Sequence, residues 1–417
     1  MQRALLITVD ISHLIETLSL NMRQEELAEL AITAGLHVAD KISCSCKNIT
    51  PNFYIGKGKA GEISLLCQKY GIECVVFNNE LTPTQHRNLE DLLSVRVLDR
   101  TQLILDIFAR NAHSQEGKVQ VELAQLEYIL PRLSGKGVML SRLGGGIGTR
   151  GPGEQKLEID RRNIRRRIAK LKEDFELLSQ HRKNIRKKRI NAGIPLISLV
   201  GYTNAGKSTL INALTSAHQV VKNSLFTTLD PLSKLLILPG RQRVVLSDTV
   251  GFLYRLPHHL IEAFKATLEE VAESDLLIHV IDVSRENFSG RISSVNEVLM
   301  QLGAAEKPVI NVLNKIDNLE DYIWLNHIKQ DFKNCVAISA KNKQNLNELM
   351  SLITACLPKL FKKYKFFIPL NHMNILDMVY KEGTIENIDY VEAGCNLEAY
   401  LPELVFKKIS GTVSKNT

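Results

Sequence analysis

No apolar run in this 417-residue chain is long enough to span a bilayer, so no membrane-spanning helix is expected. The opening MQRALLITVDISH carries a short apolar stretch, but Asp10 follows at once and no small-residue cleavage site comes after it. It reads as a first strand, not a secretory leader. Cysteine is scarce. Its seven residues are odd in number and scattered, a usage that suits reduced thiols in a cytoplasm. Cys44-Ser45-Cys46 falls one residue short of CxxC, and no second cysteine pair or histidine cluster completes a zinc site. Otherwise the composition is that of an ordinary soluble protein, 44% hydrophobic and 24% charged, with length for about two to four domains.

What is present in excess is positive charge, and it sits in one place. The net charge is +8. Between Glu154 and Arg189 fourteen Lys and Arg stand against six Asp and Glu, so the rest of the chain is close to neutral. Such local basicity points to a polyanionic partner. The segment has almost no aromatic residues, which argues against base stacking and for contact with the backbone of folded RNA. Val119, Leu123, Leu126, Leu130 and Leu133 are spaced 4, 3, 4, 3, and Ile164, Ile168, Leu171, Phe175, Leu178 and Ile185 keep the same beat. An antiparallel helical hairpin with an a/d seam is expected over residues 113–193. Between its arms, SGKGVMLSRLGGGIGTRGPG (134–153) holds too much glycine for helix or core, and is expected to form the tip. A solvated coiled-coil face would mix charge signs, and this one does not balance. Lys136, Arg142, Arg150, Arg161 and Arg165 are therefore candidate RNA contacts.

The remainder alternates strand and helix patterns. In residues 1–112, ALLITVD, HVADKIS, ECVVFNN and VRVLDR read as strands. Helices are expected at 25–34 and 59–70, and after Thr82, an N-cap with Pro83 at the first helical position. This predicts a small α/β domain with a largely parallel sheet. Ile55-Gly56-Lys57-Gly58-Lys59 at a strand–helix junction lacks a full GxGxxG and is read as a plain turn. Residues 358–417 are expected to form a small α+β domain, from two alternating stretches around a helix at 373–380.

Residues 194–357 carry the chemistry. The apolar run Leu196–Val200 reads as a buried parallel strand. It enters Gly201-Tyr202-Thr203-Asn204-Ala205-Gly206-Lys207-Ser208, a match to GxxxxGK[ST], and Thr209 continues into a helical pattern. Glycines let the backbone N–H groups turn toward a phosphate, and the helix adds its positive end. Lys207 would reach the β- and γ-phosphates, and the Ser208 hydroxyl would hold Mg²⁺. A hairpin over 232–246 leads to Ser247-Asp248-Thr249-Val250-Gly251. Strands at 276–283, 309–313 and 335–338 follow, the last two ending in Asn314-Lys315-Ile316-Asp317 and Ser339-Ala340-Lys341. The carboxyl edge of such a sheet is where ligands bind.

The base is chosen by Asn314–Asp317. The Asp317 carboxylate can accept from N1–H and the 2-amino group of guanine. Adenine offers neither donor, so the charge would be buried unpaired. Asn314 can donate to the ring edge, the Lys315 stem can lie over the ring, and the Ala340 N–H can donate to O6. The polar loop with Phe226-Thr227-Thr228-Leu229-Asp230 completes a switch. Thr228 can ligate Mg²⁺, Asp248 can hold it through water, and the Gly251 N–H can bond the γ-phosphate. Loss of that phosphate would release both loops. Lys207, Thr228 and Gly251 are the expected catalytic groups. The residue after Gly251 is Phe252, where many GTPases carry a water-orienting glutamine, so slow intrinsic hydrolysis is predicted.

VGYTNAGKSTL (200–210), FTTLDP (226–231), DTVGF (248–252), GGGIGTRGPGE (144–154), VQVELAQL (119–126) and FKATLEE (264–270) together resemble the HflX family of ribosome-associated GTPases. The resemblance covers about residues 1–357. It implies an N-terminal α/β domain, a helical-hairpin coiled coil, a P-loop G domain using GTP with Mg²⁺, and a small C-terminal domain. It also implies binding to the large ribosomal subunit, with the glycine-rich tip reaching RNA near the peptidyl-transferase region, in ribosome splitting, rescue or maturation. Phe252 fits a family that lacks the catalytic glutamine, while Gln155-Lys156 departs from its usual Thr-Gln. The expectation is a cytoplasmic monomer, with peripheral membrane association as the alternative location. Two other functions compete: a GTP-dependent anti-association switch, and an ATP-driven RNA remodeller acting through the N-terminal domain, which has no P-loop.

Overall fold

The computed structural model describes residues 2–12, 16–133, 152–191, 193–215, 225–226, 232–239, 242–255, 257, 260, 264–285, 288–319, 325, 328–330, 332–357 and 361–413. They form two compact units. One comprises Met1–Leu178, Ser224–Leu229 and Leu256–Phe264, the other Ser179–Asn223, Asp230–Arg255 and Lys265–Thr417.

The first unit is built on a parallel sheet of order β2-β1-β3-β4: β1 (Arg3–Ile11), β2 (His37–Cys46), β3 (Cys74–Phe77) and β4 (Arg96–Asp99). Helices α1 (Leu20–Thr33), α2 (Lys57–Tyr70) and α3 (Pro83–Leu93) connect the strands as expected. Thr82 caps α3 in a full capping box with Gln85, and Pro83 opens the helix. A further helix, α4 (Arg100–Asn111), was not expected. Leu103, Ile104, Leu105, Ile107 and Phe108 are buried together with Arg100 and Thr101, so a broad face of the helix is in the core. Asp99 ties the region together: its carboxylate accepts from Gln102 N at 2.9 Å, capping α4, and from Leu81 N and Arg132 Nη2 at 3.2 Å each.

Helix α5 (Gln115–Arg132) and the long α6 (Pro152–Asn191) supply the two expected arms. Ion pairs Glu122–Arg167 (2.7 Å) and Glu127–Lys172 (2.9 Å) bridge them. The seam is offset from expectation in two respects. The most buried residues of α5 are Gln120, Val121, Ala124 and Tyr128, because that face packs on α3 and α4. Ile185, counted in the seam, is 55% exposed.

The second unit holds a six-stranded sheet of order β10-β9-β8-β5-β7-β6, in which only the β6–β7 pairing is antiparallel. Its strands are β5 (Leu196–Val200), β6 (Leu232–Ile237), β7 (Arg243–Asp248), β8 (Leu276–Asp282), β9 (Val309–Asn314) and β10 (Cys335–Ala337). Helices α7 (Lys207–Thr215), α8 (Lys265–Glu273), α9 (Phe288–Gln301) and α10 (Leu346–Cys356) accompany it. All residues of β5 and β8 are buried, as the central strands of a covered parallel sheet must be. Beyond it, β11 (Phe361–Pro369), β12 (Thr384–Val391) and β13 (Gly394–Pro402) form an antiparallel sheet of order β11-β13-β12, with α11 (Asn374–Glu382) and α12 (Glu403–Val413) packed with it. The α+β character of this region was expected, but β13 and α12 were not. All seven cysteines are free thiols, and no metal-binding cluster of His, Cys, Asp or Glu occurs among the described residues. No helix among them is long and apolar enough to cross a membrane.

Candidate functional site

The phosphate loop follows β5. Gly201 has φ +151°, and a Cβ there would strike the Val280 carbonyl oxygen. Gly206 has φ +98°, and a Cβ there would fall on Asn314 Nδ2. These two positions require glycine, and with Asn204 in a left-handed conformation they turn the chain back into α7. Lys207 is only 7% exposed, and its ammonium donates to the Gly201 and Tyr202 carbonyl oxygens at 3.0 Å each. Burial pushes its pKa down to about 8, against the opposing pull of the Asp248 carboxylate.

Ser208 Oγ donates to Asp248 Oδ2 at 2.6 Å. Two hard oxygen donors therefore meet beside the loop, a pairing that fits Mg²⁺ held by few protein groups plus phosphate. Thr249 Oγ1 donates to the Leu199 carbonyl oxygen at 2.6 Å, pinning the start of the next loop to β5. That loop then pairs with the phosphate loop through its backbone: Thr203 N donates to Phe252 O (2.8 Å) and Phe252 N to Gly201 O (3.1 Å). A Cβ on Gly251 would press on Thr203 and Lys207, so the closeness of the two loops depends on that glycine. The Tyr202 hydroxyl accepts from Tyr254 N (2.9 Å). Phe252 is 1% exposed, so its ring belongs to the core.

The two loops expected to read the base are interlocked. Asn314 Nδ2 donates to the Ala205 carbonyl (2.8 Å) and Asn314 Oδ1 accepts from Ala340 N (3.0 Å). The side chain thus clamps the phosphate loop to the Ser339-Ala340-Lys341 loop, with a second amide hydrogen left for a ligand. Ala340 N, expected to be free for a base, is engaged by Asn314 in this structure. Asp317 Oδ1 accepts from Ser339 Oγ (2.6 Å), which orients the carboxylate. Lys315 has φ +67° and its ammonium pairs with Asp282 Oδ2 at 2.8 Å. Ile316 is buried in a short apolar cluster that anchors this turn.

In the first unit, Phe226 is 3% exposed and meets the Phe108 ring edge-on, with centroids 4.5 Å apart. Its carbonyl accepts from Asn111 Nδ2 at 2.7 Å. The ring of this expected nucleotide contact is thus a core group. Phe264 packs on the same Phe108 ring at 4.5 Å. Thr227, Thr228, Leu229 and Asp230 lie outside the described residues, as do Lys136, Arg142 and Arg150. On α6, Arg165 is exposed and Arg161 is half-buried. Sequence reading missed Asp282 and Phe108. No motif spacing marks either, and only strand pairing and helix packing bring them to these loops.

Three family models match the chain: one described as GTP-binding GTPase N-terminal over residues 21–109, one as GTP-binding GTPase Middle Region over 111–189, and one as 50S ribosome-binding GTPase over 196–315. Among relatives, the GTPase HflX of Caldanaerobacter subterraneus subsp. tengcongensis is 49% identical over 374 residues, 90% of this chain and 86% of that protein. The GTPase HflX of Lacrimispora saccharolytica is 44% identical over 386 residues, 93% and 91% of the two chains. That of Escherichia coli is 40% identical over 387 residues, 92% and 91% of the two chains. With a phosphate loop, a paired hydroxyl and carboxylate beside it and the Asn314 and Ala340 loops interlocked at the same sheet edge, the chain belongs to the HflX family of GTPases.

Proposed function

We propose that this GTPase binds the large ribosomal subunit, hydrolyses GTP under ribosome stimulation, and acts in ribosome splitting and rescue or in subunit biogenesis. The observation that carries the reading is the union, in one chain, of the phosphate- and guanine-reading edge with the basic α6. The description of the matched G-domain family as 50S ribosome-binding supports it. In this reading Gly201–Thr209, Phe226–Asp230, Asp248–Gly251, Asn314–Asp317 and Ser339–Lys341 hold the nucleotide. Ser208, Thr228 and, through water, Asp248 hold Mg²⁺, which would supply charge neutralisation at the phosphates. Lys207 exchanges its two carbonyl partners for phosphate oxygens, and the loop amides with Gly251 N steady the developing charge. The working parts are residues 1–112, the hairpin 113–193 with its basic tip, the G domain 194–357 and the C-terminal domain 358–417, in a cytoplasmic monomer.

The test is GTP hydrolysis by the purified chain, alone and with large subunits, at low and moderate salt. A large, salt-sensitive stimulation is expected, because phosphate contacts release counterions. A second reading, a GTP-dependent binding switch, is favoured by the burial of Phe252, which leaves the position after Gly251 without a water-orienting group. Nucleotide-dependent subunit binding without stimulated hydrolysis would select it.

A further inference from the structure

We infer that Asp282 is a positioning residue for nucleotide binding, acting by holding the Lys315 side chain across the mouth of the base site. Asp282 ends β8 and stands opposite Asn314 in the β8–β9 pairing, so it reaches the base-reading loop from a neighbouring strand. Val283 N also donates to the Asn314 carbonyl (3.2 Å), which fixes the two strand ends together. The Asp282 carboxylate is not free to rotate. Its Oδ1 accepts from Ser284 N (3.1 Å) and Ser284 Oγ (2.6 Å), and the side chain is 5% exposed. The remaining oxygen, Oδ2, takes the Lys315 ammonium.

A lysine stem is a flexible apolar chain with a charged head. Free, it has several rotamers to lose when a planar ring slides beneath it. With the head moored to a rigid carboxylate and the backbone held at φ +67°, the Lys315 side chain is restrained by the fold itself, so less freedom is left to lose on contact with a ring. The contact that results is with the face of the ring. It should be indifferent to which groups decorate the ring edge, whereas Asp317 reads the edge. Asp282 therefore serves affinity and residence time, and Asp317 serves base choice.

This inference rests on the reading of Asn314–Asp317 as the guanine site, and one set of measurements tests both. Release of methylanthraniloyl-GDP from the full-length protein is followed after a chase, and GDP and IDP are compared as competitors. IDP lacks the 2-amino group. Asp282→Asn, nearly isosteric, is expected to speed release about tenfold, in the range for losing a hydrogen bond to a charged group. The GDP-to-IDP preference should stay at the parent value. Lys315→Met should speed release similarly, and the double variant should do no worse than either single one, since both remove one interaction. Release within about twofold of the parent, or effects that multiply in the double variant, would overturn the inference. So would a GDP-to-IDP preference that collapses with Asp282→Asn, because that marks general damage to the loop. Asp317→Asn is the separate control. If it leaves the GDP-to-IDP preference intact, the guanine-site reading itself fails.

Discussion

Lys207 is the residue whose chemistry depends most on whether a ligand is bound. Its ammonium is buried on two carbonyl oxygens, and burial lowers its pKa from 10.5 to about 8. The unfolded chain binds a proton there up to about pH 10.5, and the folded one only to about pH 8. Between these values the folded state holds fewer protons at this group, so the contribution of Lys207 to stability should rise with pH across that window. Burial raises the pKa of thiols such as Cys74 and Cys335, which act in the opposite sense, so the rise is read as the difference between parent and Lys207→Met in denaturant titrations of the nucleotide-free protein from about pH 7.5 to 10. Phosphate favours the charged form, so GDP binding above pH 8 should take up a proton, detectable by calorimetry in buffers of different ionisation enthalpy. A second residue-scale prediction concerns Gly206. Alanine there meets both a left-handed backbone and Asn314 Nδ2, the group that clamps the two ligand loops. Gly206→Ala should weaken GDP binding at least about tenfold, the scale expected when strain and a buried polar contact are lost together.

At the scale of the element, α4 and α6 matter most. The α4 residue Phe108 receives two aromatic rings, Phe226 and Phe264, which come from loops following α7 and β7. Truncation to alanine should destabilise the first unit by about 3–5 kcal/mol, the usual range for a buried aromatic residue. Hydrogen exchange would locate the loss around α4, and protection unchanged there would contradict the packing. The basic face of α6 is tested by charge removal. Arg161→Gln with Arg165→Gln should lower the salt dependence of subunit binding by about 0.7–0.9 per lost phosphate contact, while GDP affinity stays unchanged. An unaltered salt slope would remove these arginines from the interface. The helices themselves show how far periodicity carries. The 4–3 repeat of α5 and α6 is visible in the sequence. The contact of α5 with α3 and α4 is not, because a helix touched on two faces spreads its apolar residues beyond one stripe.

At the scale of the whole molecule, two compact units with separate cores are expected to unfold in two steps. GDP at a hundred times its dissociation constant should stabilise the unit containing the phosphate loop by about 2.7 kcal/mol and leave the other transition in place. Differential scanning calorimetry with and without GDP would show one peak moving. A single transition that moves as a whole would mean that the units unfold together.

The sequence by itself determined the nucleotide chemistry. The phosphate loop and the runs around Asp248 and Asp317, proposed to serve Mg²⁺ and guanine, are short and contiguous, set at strand ends where a parallel sheet brings them to one edge. It also determined the start of α3, with Thr82 as cap and Pro83 at the first position, and the helices that connect the N-terminal strands, since caps and turns are local interactions. The tertiary structure decided what depends on residues distant in the chain. Burial, not residue type, lowers the pKa of Lys207. Strand pairing carries Asp282 to Lys315, and Asn314 clamps Ala205 to Ala340 across more than a hundred residues of chain. Phe226 sits in a polar-looking loop yet becomes a core group, because Phe108 on a helix more than a hundred positions earlier provides its apolar surroundings. Such pairings leave no periodicity in the sequence. They arise from the fold, which brings together side chains that no local rule connects.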